Sequence, residues 1–282
     1  MKKLIVSITL ALVLVGCGNQ TAAISEPNDV LIKVGNQNIT SGQVYGLMVS
    51  TDATSVLKQQ ATQIILNKVV GLSDELKANA EEELLSFTES VGDSLEMYLE
   101  YYGYKDAEDY LNNGIIPTLQ QEALVKEYIT TNFDALVAGY RPKMVRIIEI
   151  TDATVAETAL AELKAGKDFS EVADLYSTSN FPGDEELVNN TSSLPQVVID
   201  YYDYQTTPSL SNVLTDGTTN FIVQVTEADT NKLKDEIIEN FAMDTTFMEK
   251  TLEYYFVENA FTIYDKPLYD LFVQSYPNYL GK

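Results

Sequence analysis

The hydrophobic period of this chain changes twice, and the two changes set the broad architecture open to it. From Ser41 onward apolar residues recur at helical spacing over 41–49, 52–71, 73–91, 93–101, 107–112 and about 116–136. Tyr140-Arg141-Pro142 marks the break. Residues 144–150 then alternate as a strand, 152–163 and 168–176 read as helices, and 177–193 is polar and turn-rich. A short helix at 195–202 and a strand at 220–226 (NFIVQVT) complete the stretch. Strand, helix, helix, helix, strand is the order of a compact α+β domain of roughly ninety residues. Helical spacing returns at 231–241 and 246–257, followed by a short strand at 260–263 and a final helix at 266–274. The expected fold is therefore α+β and mostly α-helical. A discontinuous helical domain is built from residues 29–141 and 229–282, and an α+β domain, residues 142–228, is inserted into it.

Ahead of the first strand, Asp29–Gly35, lies a leader. Met1-Lys2-Lys3 is basic, and Leu4–Val15 is an apolar run of signal-peptide length, too short for a membrane span. Leu14-Val15-Gly16-Cys17 then resembles a bacterial lipoprotein processing site. The resemblance implies that residues 1–16 are a signal peptide and that Cys17 is the lipid-attachment residue. Residues 17–28 become a small, polar tether, and the chain sits on the outer face of the cytoplasmic membrane. An ordinary signal peptide that happens to contain a cysteine is the alternative. Cys17 is the single cysteine, so an intramolecular disulfide framework is excluded.

The formal charge is −24. Such a surface opposes nucleic acid and anionic headgroups. Acidic runs such as Glu81-Glu82-Glu83 and Asp184-Glu185-Glu186 read as solvated charge on a helix or loop rather than as ligands. The chain contains no histidine. That removes Ser-His-Asp and Cys-His nucleophile pairs and histidine-bearing zinc sites. Neither a metal nor a cofactor is expected.

The absence of histidine gains meaning from Val145–Ser177, VRIIEITDATVAETALAELKAGKDFSEVADLYS, which resembles the opening of a parvulin-type peptidyl-prolyl isomerase domain. Ala156, Leu160, Leu163, Gly166, Phe169, Ala173, Tyr176 and Ser177 match in order and spacing, and Phe221–Val225 matches the closing strand. Pro208-Ser209-Leu210-Ser211 stands where the family has a glycine-x-serine turn, and the family's glycine-rich turn is reduced to Pro182-Gly183-Asp184. The family's two histidines fall on Ile147 and Phe221, and its aspartate or cysteine falls near Ser179. No catalytic residue is therefore assigned, and the resemblance implies weak or absent isomerase activity. Losing both histidines together leaves no half-satisfied polar partner behind.

The flanks resemble the same larger family. VLIKVGNQNITSGQVYGLM is similar to the start of PrsA-like and SurA-like foldases, and Phe261–Phe272 to the segment that closes PrsA-like lipoproteins. In that family helical flanks hold partly folded secreted proteins. Tyr98, Tyr101, Tyr102 and Tyr104, with Tyr110, are candidate client-binding aromatics, as are Tyr201, Tyr202 and Tyr204; Tyr254, Tyr255 and Phe256 form a third group. The same spacing suits core and rim positions, and the aromatic faces suit a homodimer as well as a client. The expected function is thus an extracytoplasmic, membrane-anchored foldase for secreted proteins with a degenerate isomerase domain. The alternative is a surface lipoprotein binding a peptide or small ligand on a reused foldase scaffold.

Overall fold

The computed structural model describes residues 25–51, 53–178 and 180–281. The chain divides into two compact units. The first joins both flanks, up to Gln121 and from Glu249 onward, and the second is the continuous stretch Glu122–Met248.

The first unit opens with an antiparallel hairpin, β1 (Val30–Val34) and β2 (Gln37–Thr40), which turns through Gly35 at φ +59°. Thr40 and Gln43 cap each other's backbone, so helix α1 (Ser41–Ser50) starts where the strand stops. Helices α2 (Ala53–Val69) and α3 (Asp74–Val91) follow. Ser73 accepts from the Leu76 N–H to cap α3, and Asp74 and Glu75 complement the positive end of its dipole. Helix α4 (Leu95–Tyr102) stops at Gly103, which takes the left-handed conformation. Helix α5 (Ala107–Tyr110), capped by Asp106, runs into a π-helical turn at Leu111–Ile115. Helix α6 (Ile116–Thr131) contains the boundary between the units.

The expected helix over 116–136 is in fact two. Helix α7 (Phe133–Tyr140) starts after Asn132, whose side-chain amide donates to the Tyr128 carbonyl at 2.8 Å. The Asn132 N–H shares that carbonyl at 3.0 Å, and the backbone of Asn132 leaves the helical region at φ −104°, ψ 16°, which interrupts the helix. The rest of the second unit comprises β3 (Lys143–Ile150), α8 (Ala153–Lys164), α9 (Phe169–Tyr176), β4 (Glu186–Val188) and α10 (Gln196–Asp203). Strands β5 (Ser209–Leu210), β6 (Leu214–Thr215) and β7 (Asn220–Glu227) and helix α11 (Lys234–Ala242) complete it. The sheet order is β4-β3-β7-β5, with β6 also pairing β7, and its pairings are antiparallel.

Both faces of this sheet are buried. One presents Ile148, Ile150 and Ile222 to α8 and α9, where Ala156 and Ala159 let α8 lie close. The other presents Val145, Ile147, Phe221, Val223 and Val225 to α10. A further apolar cluster joins Val125, Ile129, Phe133 and Leu136 to Leu233, Ile237, Phe241 and Phe247, with Met144 and Leu187 packed against it. This cluster explains why the second unit reaches beyond 142 and 228 on both sides.

The tyrosine-serine pair that ends α9 acts structurally. Ser177 accepts from the Glu149 N–H at 2.9 Å and donates to the Phe181 carbonyl, tying α9 to the strand beside it. The Tyr176 hydroxyl donates to Glu162 at 3.0 Å. Beyond it Pro182 bridges Ile148, and Gly183 takes φ +82° against Ala173.

Helices α12 (Thr245–Glu258) and α13 (Lys266–Ser275) lead back to and close the first unit. The strand expected at 260–263 does not form. Ala260 adopts φ +53°, and the Phe261 N–H turns back to the Phe256 carbonyl at 3.0 Å. Phe261 then packs its ring on Phe256 and Phe272 at 4.9 and 5.2 Å, so side-chain packing overrides the apolar strand pattern. Among the described residues no helix is long and apolar enough to cross a membrane.

Candidate functional site

Ile147 and Phe221 lie on one sheet face. Ile147 pairs with Val223 and Phe221 with Glu149, which makes the two side chains diagonal neighbours. They are 1% and 2% exposed. Val198 and Tyr202 of α10 cover them, and the Phe181 ring meets Phe221 edge-on at 6.2 Å. The polar atom of this cluster, the Tyr202 hydroxyl, is already committed: it donates to the Asn189 carbonyl at 2.7 Å. Burial pushes that phenol up to about 12. Any ligand reaching Ile147 and Phe221 would have to open a packed apolar layer. Ser179 and Cys17 lie outside the described residues.

The second tyrosine group is thereby split. Tyr202 is fully buried, which corrects its reading as a client-binding residue: its ring fills the core and its hydroxyl satisfies a loop carbonyl. Tyr201 is half-buried and donates to Ser209 Oγ at 2.9 Å. Tyr204 is 77% exposed. In the third group Tyr255 and Phe256 are buried.

Ser211, at the end of the Pro208–Ser211 segment, is 1% exposed. It accepts from the Val223 N–H through Oγ and donates its own N–H to the Val223 carbonyl, both at 2.9 Å. The segment thus clamps β7, a role no sequence pattern announced.

The first unit gathers the remaining tyrosines. Tyr98, Tyr101 and Tyr102 are exposed on α4, and Tyr104 and Tyr110 follow within the next turn of chain. Their rings interlock. Tyr101 stands edge-on to Tyr102 at 5.0 Å, Tyr98 lies parallel to Tyr102 at 6.4 Å, and Tyr104 meets Tyr110 at 5.0 Å. Phe87 of α3 touches Tyr98 and Tyr110 at 6.2 and 5.0 Å. Phe87 was missed in sequence because it sits on another helix, one turn from nothing aromatic.

A second device in this unit was not visible in the sequence. The Lys58 ammonium sits 4.7 Å from the centres of both the Tyr276 and Tyr279 rings and 3.0 Å from both Glu249 oxygens. The Tyr279 hydroxyl donates to Glu249 at 2.6 Å. Burial works against the Glu249 charge, but the hydrogen bonds from Tyr279 and Lys58 and the lysine charge outweigh it and hold the carboxyl below its ordinary value. A carboxyl lowered in the folded state adds stability above its unfolded value of about 4.3 and loses it as pH falls through the folded one. The stability gap between the native chain and Glu249→Gln should therefore shrink as pH is lowered from about 5 to about 3. Urea midpoints along that series check it; a constant gap would remove the clasp as an acid-sensitive element.

No group of three or more cysteine, aspartate or glutamate side chains among the described residues is placed to hold a metal.

The two buried sheet faces and the helical unit made from both ends define a mostly helical α+β protein with an α+β unit set between its two helical flanks. The fold is that of PrsA. A crystal structure of peptidylprolyl isomerase (PrsA) from Bacillus cereus matches with a TM-score of 0.52 at 15% identity, covering 88% of this chain and 98% of that one. In sequence the chain is similar to the "Foldase protein PrsA" of Halalkalibacterium halodurans, 23% identical over 188 residues, covering 62% of this chain and 56% of that one. It is also similar to the "Foldase protein PrsA" of Geobacillus kaustophilus, 24% identical over 160 residues, covering 56% and 55% respectively. The matches thus span a little over half the length of these curated relatives. No family model matches. The chain is PrsA-like in sequence and in fold.

Proposed function

We propose that this protein is an extracytoplasmic foldase, anchored to the membrane through Cys17, that works by holding partly folded secreted proteins and has little or no isomerase activity of its own. The observation that carries this reading is the burial of Ile147 and Phe221, 1% and 2% exposed, at the positions where the resemblance expects histidines. The parvulin-like α+β domain thereby keeps its frame and gives up its polar centre. Tyr98, Tyr101 and Tyr102, by contrast, are 39%, 81% and 63% exposed. Large amphipathic rings on a helical surface suit adaptable contact with unfolded segments at low entropy cost. The foldase relatives support the class of activity, and the Leu14-Val15-Gly16-Cys17 sequence after the apolar leader supports the anchor.

Two measurements on one preparation test the reading. In a protease-coupled proline-peptide assay the rate should stay at the uncatalysed background. In refolding of a secreted client the protein should suppress light scattering when present in excess. A clear isomerase rate, or unchanged aggregation at excess protein, would defeat the proposal.

A further inference from the structure

We infer that the aromatic cavity between α3, α4 and α5 of the first unit is a receptor for one cationic side chain, lysine or arginine, of a bound protein segment. As a statement about clients it rests on the holding function proposed above.

The cavity measures about 270 Å³. Its walls are the rings of Phe87, Tyr98, Tyr102, Tyr104 and Tyr110, and Leu99 lies at its base, 6% exposed. Ring faces carry the negative part of the aromatic quadrupole, so a pocket walled by rings attracts a cation that has left water. A second cavity of about 430 Å³ adjoins it, with Tyr104 and Tyr110 in both linings, and adds Glu83. The Glu83 carboxylate acts on Tyr110: burial, and then this charge, raise the phenol above its ordinary value. Among the described residues neither lining contains a lysine or arginine. The aromatic and acidic groups are thus assembled around a place without its own cation.

The backbone is shaped to bring the rings together. The π-helical turn at Leu111–Ile115 places Gly114 against two of them. A Cβ on Gly114 would stand 2.7 Å from the Tyr110 ring and 3.0 Å from the Tyr104 hydroxyl. Single π-turns of this kind often occur at functional sites.

Charge selects the occupant. Between Asp74 and Ile115 the chain carries twelve carboxylates against Lys77 and Lys105. That field draws basic protein segments and repels phosphate-bearing headgroups. The same unit already binds a cation in this manner, since Lys58 lies over two tyrosine rings with a carboxylate beside it.

The test uses the whole protein and short unstructured peptides that share apolar flanks and differ at one central position, arginine or its neutral isostere citrulline. Fluorescence anisotropy should show the arginine peptide binding about fivefold to tenfold more tightly, an advantage that shrinks with added salt. Tyr102→Leu and Gly114→Ala should each bring the ratio close to one, while Tyr102→Phe keeps it. Equal binding of the two peptides, or an unchanged ratio in both Tyr102→Leu and Gly114→Ala, would overturn the assignment. Client aggregation is read on the same preparation. Suppression with no arginine advantage removes the cation receptor and leaves the holding function. An arginine advantage without suppression removes the holding function and leaves the receptor.

Discussion

Gly183→Ala should destabilise the second unit by about 2–5 kcal/mol, a large part of the 5–15 kcal/mol typical of a whole domain. Two independent costs add. Gly183 sits at φ +82°, where an L side chain is strained by about 1–2 kcal/mol. Its Cβ would also overlap the Cβ of Ala173 and reach the Phe169 ring at 3.5 Å. Both neighbours belong to the packed layer between α9 and the sheet, so overfilling adds about 1–3 kcal/mol. Urea unfolding followed by tyrosine fluorescence measures the sum. The double variant Ala173→Gly/Gly183→Ala separates the parts, because it relieves the overlap and keeps the backbone strain. A loss below about 1 kcal/mol for Gly183→Ala would show that the turn rearranges freely and that this account of it is wrong.

The double substitution Ile147→His/Phe221→His should lower stability without creating an isomerase. Both positions are sealed, and the Tyr202 hydroxyl beside them already serves Asn189. A polar ring buried there without a partner costs about 1–3 kcal/mol at each position. Burial also favours neutral imidazole, so the folded-state pKa would fall below the unfolded value of about 6.5. The variant should then lose further stability as pH drops through that unfolded value, because the unfolded chain takes up the protons. The native chain has no histidine, so this slope between about pH 7 and about pH 5 would come from the introduced rings. Thermal melts at a series of pH values check the stability, and the proline-peptide assay checks the rate. Recovery of a robust isomerase rate would mean that the layer over Ile147 opens readily, against its burial in the structure.

Much of the fold was legible because it rests on local period. The amphipathic helices, the first strand and the two long sheet strands each repeat a pattern over several residues. Strands β4, β5 and β6 are two or three residues long and hold no period to detect. The split at Asn132 shows as one residue off helical geometry, and the missing strand at 260–263 as one positive φ. The tyrosine cluster of the first unit was visible as a crowd of like residues, but Phe87 and Gly114 became part of it only in three dimensions. Tyr202 shows the opposite limit, since the same crowding placed a core residue among surface ones. Ser177 and Ser211 were visible as motif positions, while their work as backbone clamps required knowing which amides they face.

The clasp of Lys58 with Glu249, Tyr276 and Tyr279 sets a timetable. Lys58 and Glu249 are 191 residues apart in sequence, and the two tyrosines lie further on still. The second unit is continuous, so a chain emerging amino-end first can complete it while the last helices are still to come. The helical unit has no such freedom. Helix α2 must wait, its lysine in water, until the final tyrosines arrive. Closing so long a span costs entropy that nearer contacts do not, which makes this closure a late event. The helical unit would therefore close only after residues 249–279 have followed the second unit out.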